Sequence, residues 1–334
     1  MKKMTLILAA LLLLLPLPLA VAQTPPPHRS APARQAPAEH DSTKAQASST
    51  QENARRRFRH LTLYFTLSNI LSSNIDQDED DISSYGVVPS VRVHYQNRSS
   101  NPTFEIDYEL ASHTFTNTDK FNRVSQNVRA SFARPLTRRL KAETVGGVSF
   151  KGTADSDSRE VGDQYTVLQA FEYRLDRRRR MSVFGAYRIK RFRENPDRNA
   201  VNPYFGGKFA QRFGEGRRWE VGYRYDWSRA ASSRRSYIRW TYSTEFSTPV
   251  SSRDELTLAA RYRPQLYARQ VRVGDMSVPR RDQKWILSAS WRRSLRRDLE
   301  IDFIYAFENR TSNDPERKFS EHLAGIALTY RWKR

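Results

Sequence analysis

The sequence predicts an all-β chain, a single antiparallel transmembrane β-barrel of about 14 strands that follows an N-terminal signal peptide and a disordered tether. Two observations carry this. From about Arg59 to Trp332, short segments of alternating apolar and polar residues recur roughly every 20 residues, separated alternately by shorter and longer polar connectors. The chain is also too polar for helical spans, with 38% hydrophobic residues and a mean hydropathy of -0.76. A barrel tolerates that polarity because only every second strand residue meets lipid.

The N-terminus sets the compartment. Lys2 and Lys3 precede an apolar run from Leu6 to Leu19, and Ala20, Val21 and Ala22 follow as a small-x-small cleavage site, so residues 1–22 are expected to be a signal peptide. Pro16 and Pro18 interrupt the end of the run and argue against an uncleaved anchor. Residues 23–57 begin with Gln23, Thr24 and three prolines, then continue in Ala, Gln and Ser without apolar periodicity. That composition predicts a disordered periplasmic tether, closed by the basic stretch Arg55 to Arg57. The barrel is expected over 58–334.

With no Cys, the chain has no disulfide and no lipidated cysteine, so strand pairing must stabilise it. The formal net charge of +21 would suggest nucleic acid in a cytoplasmic protein. Export excludes that partner, and the basic residues cluster in connectors such as Arg177 to Arg180 and Arg292 to Arg297. A basic periplasmic rim that meets peptidoglycan or anionic headgroups is expected instead.

The first strand sets Leu61, Leu63, Phe65 and Leu67 against Thr62, Tyr64, Thr66 and Ser68. An acidic connector, Asp76 to Asp81, follows. The second strand sets Val87, Pro89, Val91, Val93 and Tyr95 against Ser90, Arg92 and His94, and Pro89, which cannot donate a ladder bond, predicts a bulge. The third opposes Phe104, Ile106, Tyr108 and Leu110 to Glu105, Asp107 and Glu109. Further strands are read at Val124 to Ala133, Leu140 to Lys151, Tyr165 to Arg174, Ser182 to Lys190, Tyr204 to Gln211 and Trp219 to Trp227. The last five are Ser236 to Phe246, Leu256 to Arg263, Trp285 to Arg292, Leu299 to Glu308 and Leu323 to Trp332. Gly206 and Gly207 predict a bend or bulge in the eighth.

An even strand number brings both ends of the barrel to the same side. With the first connector outside, the periplasmic ones are Arg134 to Arg139, Asp176 to Arg180, Gly214 to Arg218 and Arg292 to Asp298, mostly short and Arg-rich. The outer ones, Asn117 to Arg123, Ala154 to Asp163, Gln270 to Asp282 and Asn309 to Phe319, are mostly longer and carry acids.

Aromatic placement favours a membrane barrel over a soluble sandwich. Trp219 and Trp227 bracket Val221, Tyr223 and Tyr225, while Trp285 and Trp291 bracket Leu287 and Ala289, as interfacial girdles require. The last strand places Ala324, Ile326, Leu328, Tyr330 and Trp332 on one face, ahead of Lys333 and Arg334. It resembles the C-terminal strand of bacterial outer-membrane, porin-like β-barrels. That resemblance, architectural and without a subfamily motif, implies an outer membrane with its lipid and lipopolysaccharide, and the barrel-assembly machinery as a partner.

The polar faces carry paired charge. Glu105, Asp107 and Glu109 lie between strands offering Arg92 and His94 on one side and Arg129 on the other. Glu300 and Asp302 lie between Arg292 and Arg331, and Glu220 and Asp226 between Lys208 and Arg239, with Arg224 on the same face. These fourteen acids and bases other than His94 are the candidate lumen-lining charges, as structural ladders or as the wall of a pore. Among His60, His94, His113 and His322, none has a catalytic context; His113 with Thr114 and Thr116 lacks a His-x-Ser-type motif. No catalytic, cofactor or metal site is expected. The expected function is a porin-like passive channel for small polar solutes. A closed structural or adhesive barrel, a secretion or assembly barrel and, last, a lipid-modifying enzyme remain as alternatives.

Overall fold

The computed structural model describes residues 61–75, 77, 82–97, 102–117, 121–155, 158–193 and 195–333. The signal, the tether, Arg55 to Arg57 and most of the acidic run Asp76 to Asp81 lie outside those residues. The described chain is a closed barrel of fourteen strands in which each pairs with its sequence neighbours and β1 pairs with β14. They are β1 (Leu61–Ser72), β2 (Ser84–Asn97), β3 (Thr103–Phe115), β4 (Arg123–Pro135), β5 (Leu140–Asp155), β6 (Ser158–Arg174) and β7 (Arg179–Arg191). The second half is β8 (Ala200–Arg212), β9 (Arg218–Ala230), β10 (Tyr237–Pro249), β11 (Asp254–Val273), β12 (Met276–Ser294), β13 (Leu299–Ser312) and β14 (Phe319–Lys333). Each alternating segment of the sequence became one strand.

Closure is an unbroken antiparallel ladder from Thr62 opposite Lys333 to Ser72 opposite Leu323. It leaves no sheet edge, the condition for spanning lipid, where an unpaired backbone group would cost several kcal/mol (about the price of an unsatisfied amide).

The barrel is apolar outside and polar inside. Among the described residues, nineteen buried side chains are polar or charged and ten are apolar. The large apolar groups are exposed instead, Phe65, Leu67, Leu287, Ile326, Leu328, Tyr330 and Trp332 among them. The aromatic residues join into rows across strands rather than only bracketing single ones. Tyr223, Tyr242, Tyr262 and Trp285 form one row over β9 to β12, with centroid steps of 5.4, 6.3 and 4.4 Å. Phe205, Tyr225 and Trp240 form another over β8 to β10. Both rows lie on the outer face.

Both chain ends of the barrel reach one rim, where the turns share a device. The amide of residue i bonds the carbonyl of i+4 at Leu136, Leu175, Phe213, Val250 and Leu295, over 2.8 to 3.0 Å. Each turn thus opens on an exposed apolar residue and carries arginine close behind it. In the turn after β6, Asp176 accepts from the amides of Arg178 and Arg179 at 2.7 and 2.8 Å and from Arg179 Nε at 2.7 Å. The Arg178 amide and then the Arg179 side chain hold that carboxyl below its usual range, so a rim crowded with arginine is pinned by a carboxylate.

Four sequence expectations change. Pro89 makes no bulge: β2 keeps one register against β1 and β3, because the missing donor costs a single ladder bond without inserting a residue. Gly206 and Gly207 also sit in uninterrupted register. Gly206 is needed for close approach, since a Cβ there would collide with the Tyr223 carbonyl and the Phe184 ring. The bulges fall elsewhere, between Ser149 and Gly152, where Lys151 has φ 48°, between Thr153 and Asp155, and between Leu266 and Gln270. Finally, much of Ala154 to Asp163 and of Gln270 to Asp282 is strand, not loop: β5–β6 and β11–β12 run on past their neighbours, and the second hairpin turns at Gly274 (φ 61°) and Asp275.

On the opposite rim, Ile75, Phe115 and Phe121 pack together with Ile82 against them. The Phe115 and Phe121 rings meet edge-on at 6.4 Å, and the Ile75 amide bonds the Ile82 carbonyl at 2.8 Å. This apolar knot seats the first two connectors of that rim.

Outward and inward positions should respond differently to charge. Leu328→Arg, on the outer face, is expected to cost about 2–4 kcal/mol in urea unfolding of liposome-inserted protein, whereas Ser90→Lys, facing inward, should cost under about 1 kcal/mol.

Candidate functional site

The period of two sends every second side chain into the lumen. A cavity of about 980 Å³ is lined from eleven strands, through Tyr64, Arg92, Glu109, Ser125, Ser149, Gln164, Arg188, Arg224, Arg292, Asp302 and Thr329 among others. Only the barrel interior can be reached from all of these. A second cavity, of about 570 Å³, lies against β7 to β13 toward the rim away from the chain ends.

The structure joins most of the sequence-predicted charges. Arg92 Nη2 and His94 Nδ1 meet Asp107 Oδ1 at 2.6 and 2.9 Å. Arg129 lies opposite Asp107 in the β3–β4 register but is exposed. Glu105 accepts from Gln96 at 2.6 Å, and Glu109, opposite Arg92, accepts from Asn127 at 3.4 Å. Arg292 Nε donates to Asp302 at 2.8 Å, while Arg331 stands 3.8 Å from Glu300. Lys208 donates to Glu220 at 2.8 Å, and Arg218 reaches the same carboxylate.

The densest group centres on Asp226, which is fully buried. Its Oδ1 accepts from Arg188 at 3.1 Å and Arg239 at 3.3 Å, and its Oδ2 from Arg224 Nε at 2.8 Å. One carboxylate therefore holds three guanidinium groups brought from β7, β9 and β10. Arg239 lines the smaller cavity and Arg188 and Arg224 the larger, so this knot sits where the two adjoin.

Sequence reasoning missed a second network. Asp282 accepts from Arg280 Nε at 3.0 Å, Arg310 Nε at 3.1 Å and Ser312 Oγ at 2.7 Å. Lys284 pairs with Glu308 at 2.6 Å. Buried Glu321 accepts from Ser72 at 2.5 Å and from Gln77 at 3.0 Å. The alternation of Arg280, Asp282 and Lys284 was a legible signal, hidden by reading that stretch as a loop.

His113 faces the lumen, with Nε2 3.2 Å from Ser125 Oγ. Among the described residues its hydrogen-bond partner is that hydroxyl, and the pair points away from the lipid-facing rim that a lipid-modifying enzyme would use. No group of three or more His, Cys, Asp or Glu among the described residues could hold a metal ion.

The fold is that of the bacterial outer-membrane β-barrels, here with fourteen strands. The anion-selective porin from Comamonas acidovorans is similar at a TM-score of 0.51 and 10% identity, over 81% of this chain and 99% of that one. The outer-membrane protein OmpT of Vibrio cholerae, in its trimer form, is similar at a TM-score of 0.51 and 10% identity over the same shares. At such identity the likeness is one of fold. The sequence matches no protein-family model and no curated protein.

Removing the central carboxylate takes a shared acid from buried cations. Asp226→Asn is expected to destabilise the barrel by about 3–5 kcal/mol, and adding Arg188→Gln should recover part of that loss in equilibrium unfolding.

Proposed function

We propose that the chain is an outer-membrane porin-like channel that passes small polar solutes passively through its charge-lined lumen. The observation that carries this is the cavity of about 980 Å³ enclosed by eleven strands, with fixed acids and bases on its wall and apolar residues on the outside. Such a lumen is wet, and solutes that keep their hydration or exchange it for the wall's polar groups can pass. Among the described residues the turns on the chain-end rim are short, and two of the outer segments, β5–β6 and β11–β12, are strand hairpins.

In this reading the turns opening on Leu136, Leu175, Phe213, Val250 and Leu295 form the periplasmic rim. Their exposed apolar residues enter the interface and their arginines meet anionic headgroups or peptidoglycan. The C-terminal strand β14 is the segment offered to the barrel-assembly machinery. A second reading has one observation behind it: Asp226 is fully buried within its three arginines, as in a barrel closed by its own side chains. The lumen would then serve structure alone.

Planar-bilayer recording of the purified protein separates the two. Stable conducting steps are expected; silence with intact heat-modifiable migration would favour the closed barrel. Orientation has its own check. Arg272, 81% exposed beside the Gly274 turn, should be cut by trypsin added to intact cells, and recovery of the protein in the soluble periplasm would defeat the membrane reading.

A further inference from the structure

The two cavities differ in charge. The larger mixes acids and bases, whereas the smaller is lined by eleven lysines and arginines and only two aspartates. Counting Asp226 and Glu308, which pair with its wall residues Arg239 and Lys284, and buried Asp314, whose charge reaches Arg280, still leaves eleven cations against five carboxylates among the described residues. Five of these cations, Lys190, Arg239, Arg263, Arg280 and Lys284, are less than 9% exposed.

Three of the five share a carboxylate, Arg280 with Asp282, Arg239 with Asp226 and Lys284 with Glu308, and aromatic side chains line them as well. Arg280 lies 4.0 Å over the Tyr267 ring, Arg239 lies 5.5 Å over Tyr237, and Lys284 lies 5.4 Å over Phe319. Lys190 also donates to the Tyr237 hydroxyl at 3.4 Å, and Arg310 to that of Tyr267 at 3.4 Å. These rings and phenols orient cations that also share carboxylates, so the excess positive charge belongs to the lining as a whole, where bases outnumber acids. The result is a rigid, partly dehydrated field of excess positive charge in a space of about 570 Å³, large enough for a small organic anion.

We propose that this basic half of the lumen is a binding site for the oxyanion group, phosphate or carboxylate, of a small anionic solute. Planar guanidinium forks match such groups in a bidentate way, and burial strengthens the contact. The inference rests on the channel reading for the solute's route but not for the site itself. The site lies toward the rim away from the chain ends, so an anion meets it on entering from outside.

The test uses the full chain in planar bilayers under a potassium chloride gradient, with inorganic phosphate and succinate as probes. The reversal potential should report preference for chloride, and one or both probes should reduce the conductance. The more potent probe identifies phosphoryl or carboxylate solutes. Arg235→Gln and Arg263→Gln should each lower the anion-to-cation ratio by about 2- to 4-fold, the effect of one unit charge acting at about 10 Å through water. Arg235 is exposed on a connector, so its variant remains informative if the buried Arg263 variant does not fold. Arg178→Gln, on the opposite rim, should leave the ratio unchanged. A conducting barrel without anion preference, without block by either probe, or with a ratio indifferent to Arg235→Gln overturns the site and leaves the channel standing. If the folded protein is silent, the channel reading fails, and calorimetric titration of phosphate and succinate into the micelle-solubilised chain decides the site. Binding weakened by Arg235→Gln supports it; no binding of either overturns it.

Discussion

The pairing of β1 with β14 is the constraint on which the rest of this structure depends. Both strands hold their other neighbours through local hairpins, but their mutual ladder, Thr62 opposite Lys333 through Ser72 opposite Leu323, joins the two ends of the barrel. In lipid an open edge would leave a row of amides and carbonyls without water to satisfy them. Closure removes that row and creates an interior. It also fixes which residues share that interior, since a slip of one residue would turn Glu321 and Arg331 outward and Leu328 inward.

Once the interior exists, its chemistry follows from burial. Charged side chains inside a strand wall need partners, and the cross-strand register supplies them: Arg92 with Asp107, Lys208 with Glu220, Arg292 with Asp302. Where arginine outnumbers carboxylate, one acid is shared, as at Asp226 and Asp282, and an aromatic face can add to it, as Tyr267 does beneath Arg280. Exposed pairs of this kind contribute little, about 0–1 kcal/mol each, while the buried knots cannot lose a member without leaving an uncompensated charge. The same arrangement that braces the wall gives the lumen its uneven field.

The strands were legible because alternation reports which face each residue takes, and Phe104 through Leu110 against Glu105 through Glu109 leaves no ambiguity. The ladders on β2–β3, β8–β9 and β12–β14 were legible too, since antiparallel neighbours meet face to face. The second network was not. Arg280, Asp282 and Lys284 alternate as strand residues do, but Gly274 and Asp275 and the surrounding polarity resemble a loop. Polarity marks a loop only where a strand faces lipid. Pro89, Gly206 and Gly207 misled in the opposite sense, because their local effects cost a ladder bond or a side chain and the neighbouring strands held the register.

By itself the sequence determined the architecture: period, strand number and which turns share a rim follow from local properties, each written within about 20 residues. Tertiary structure alone decided which charges meet beyond adjacent strands. Arg188, on β7, shares Asp226 with Arg239 of β10, and Tyr267 of β11 receives both Arg280 of β12 and Arg310 of β13. Those meetings depend on the curvature of a closed sheet, which turns strands several places apart toward one enclosed space, and no period along the chain encodes that distance.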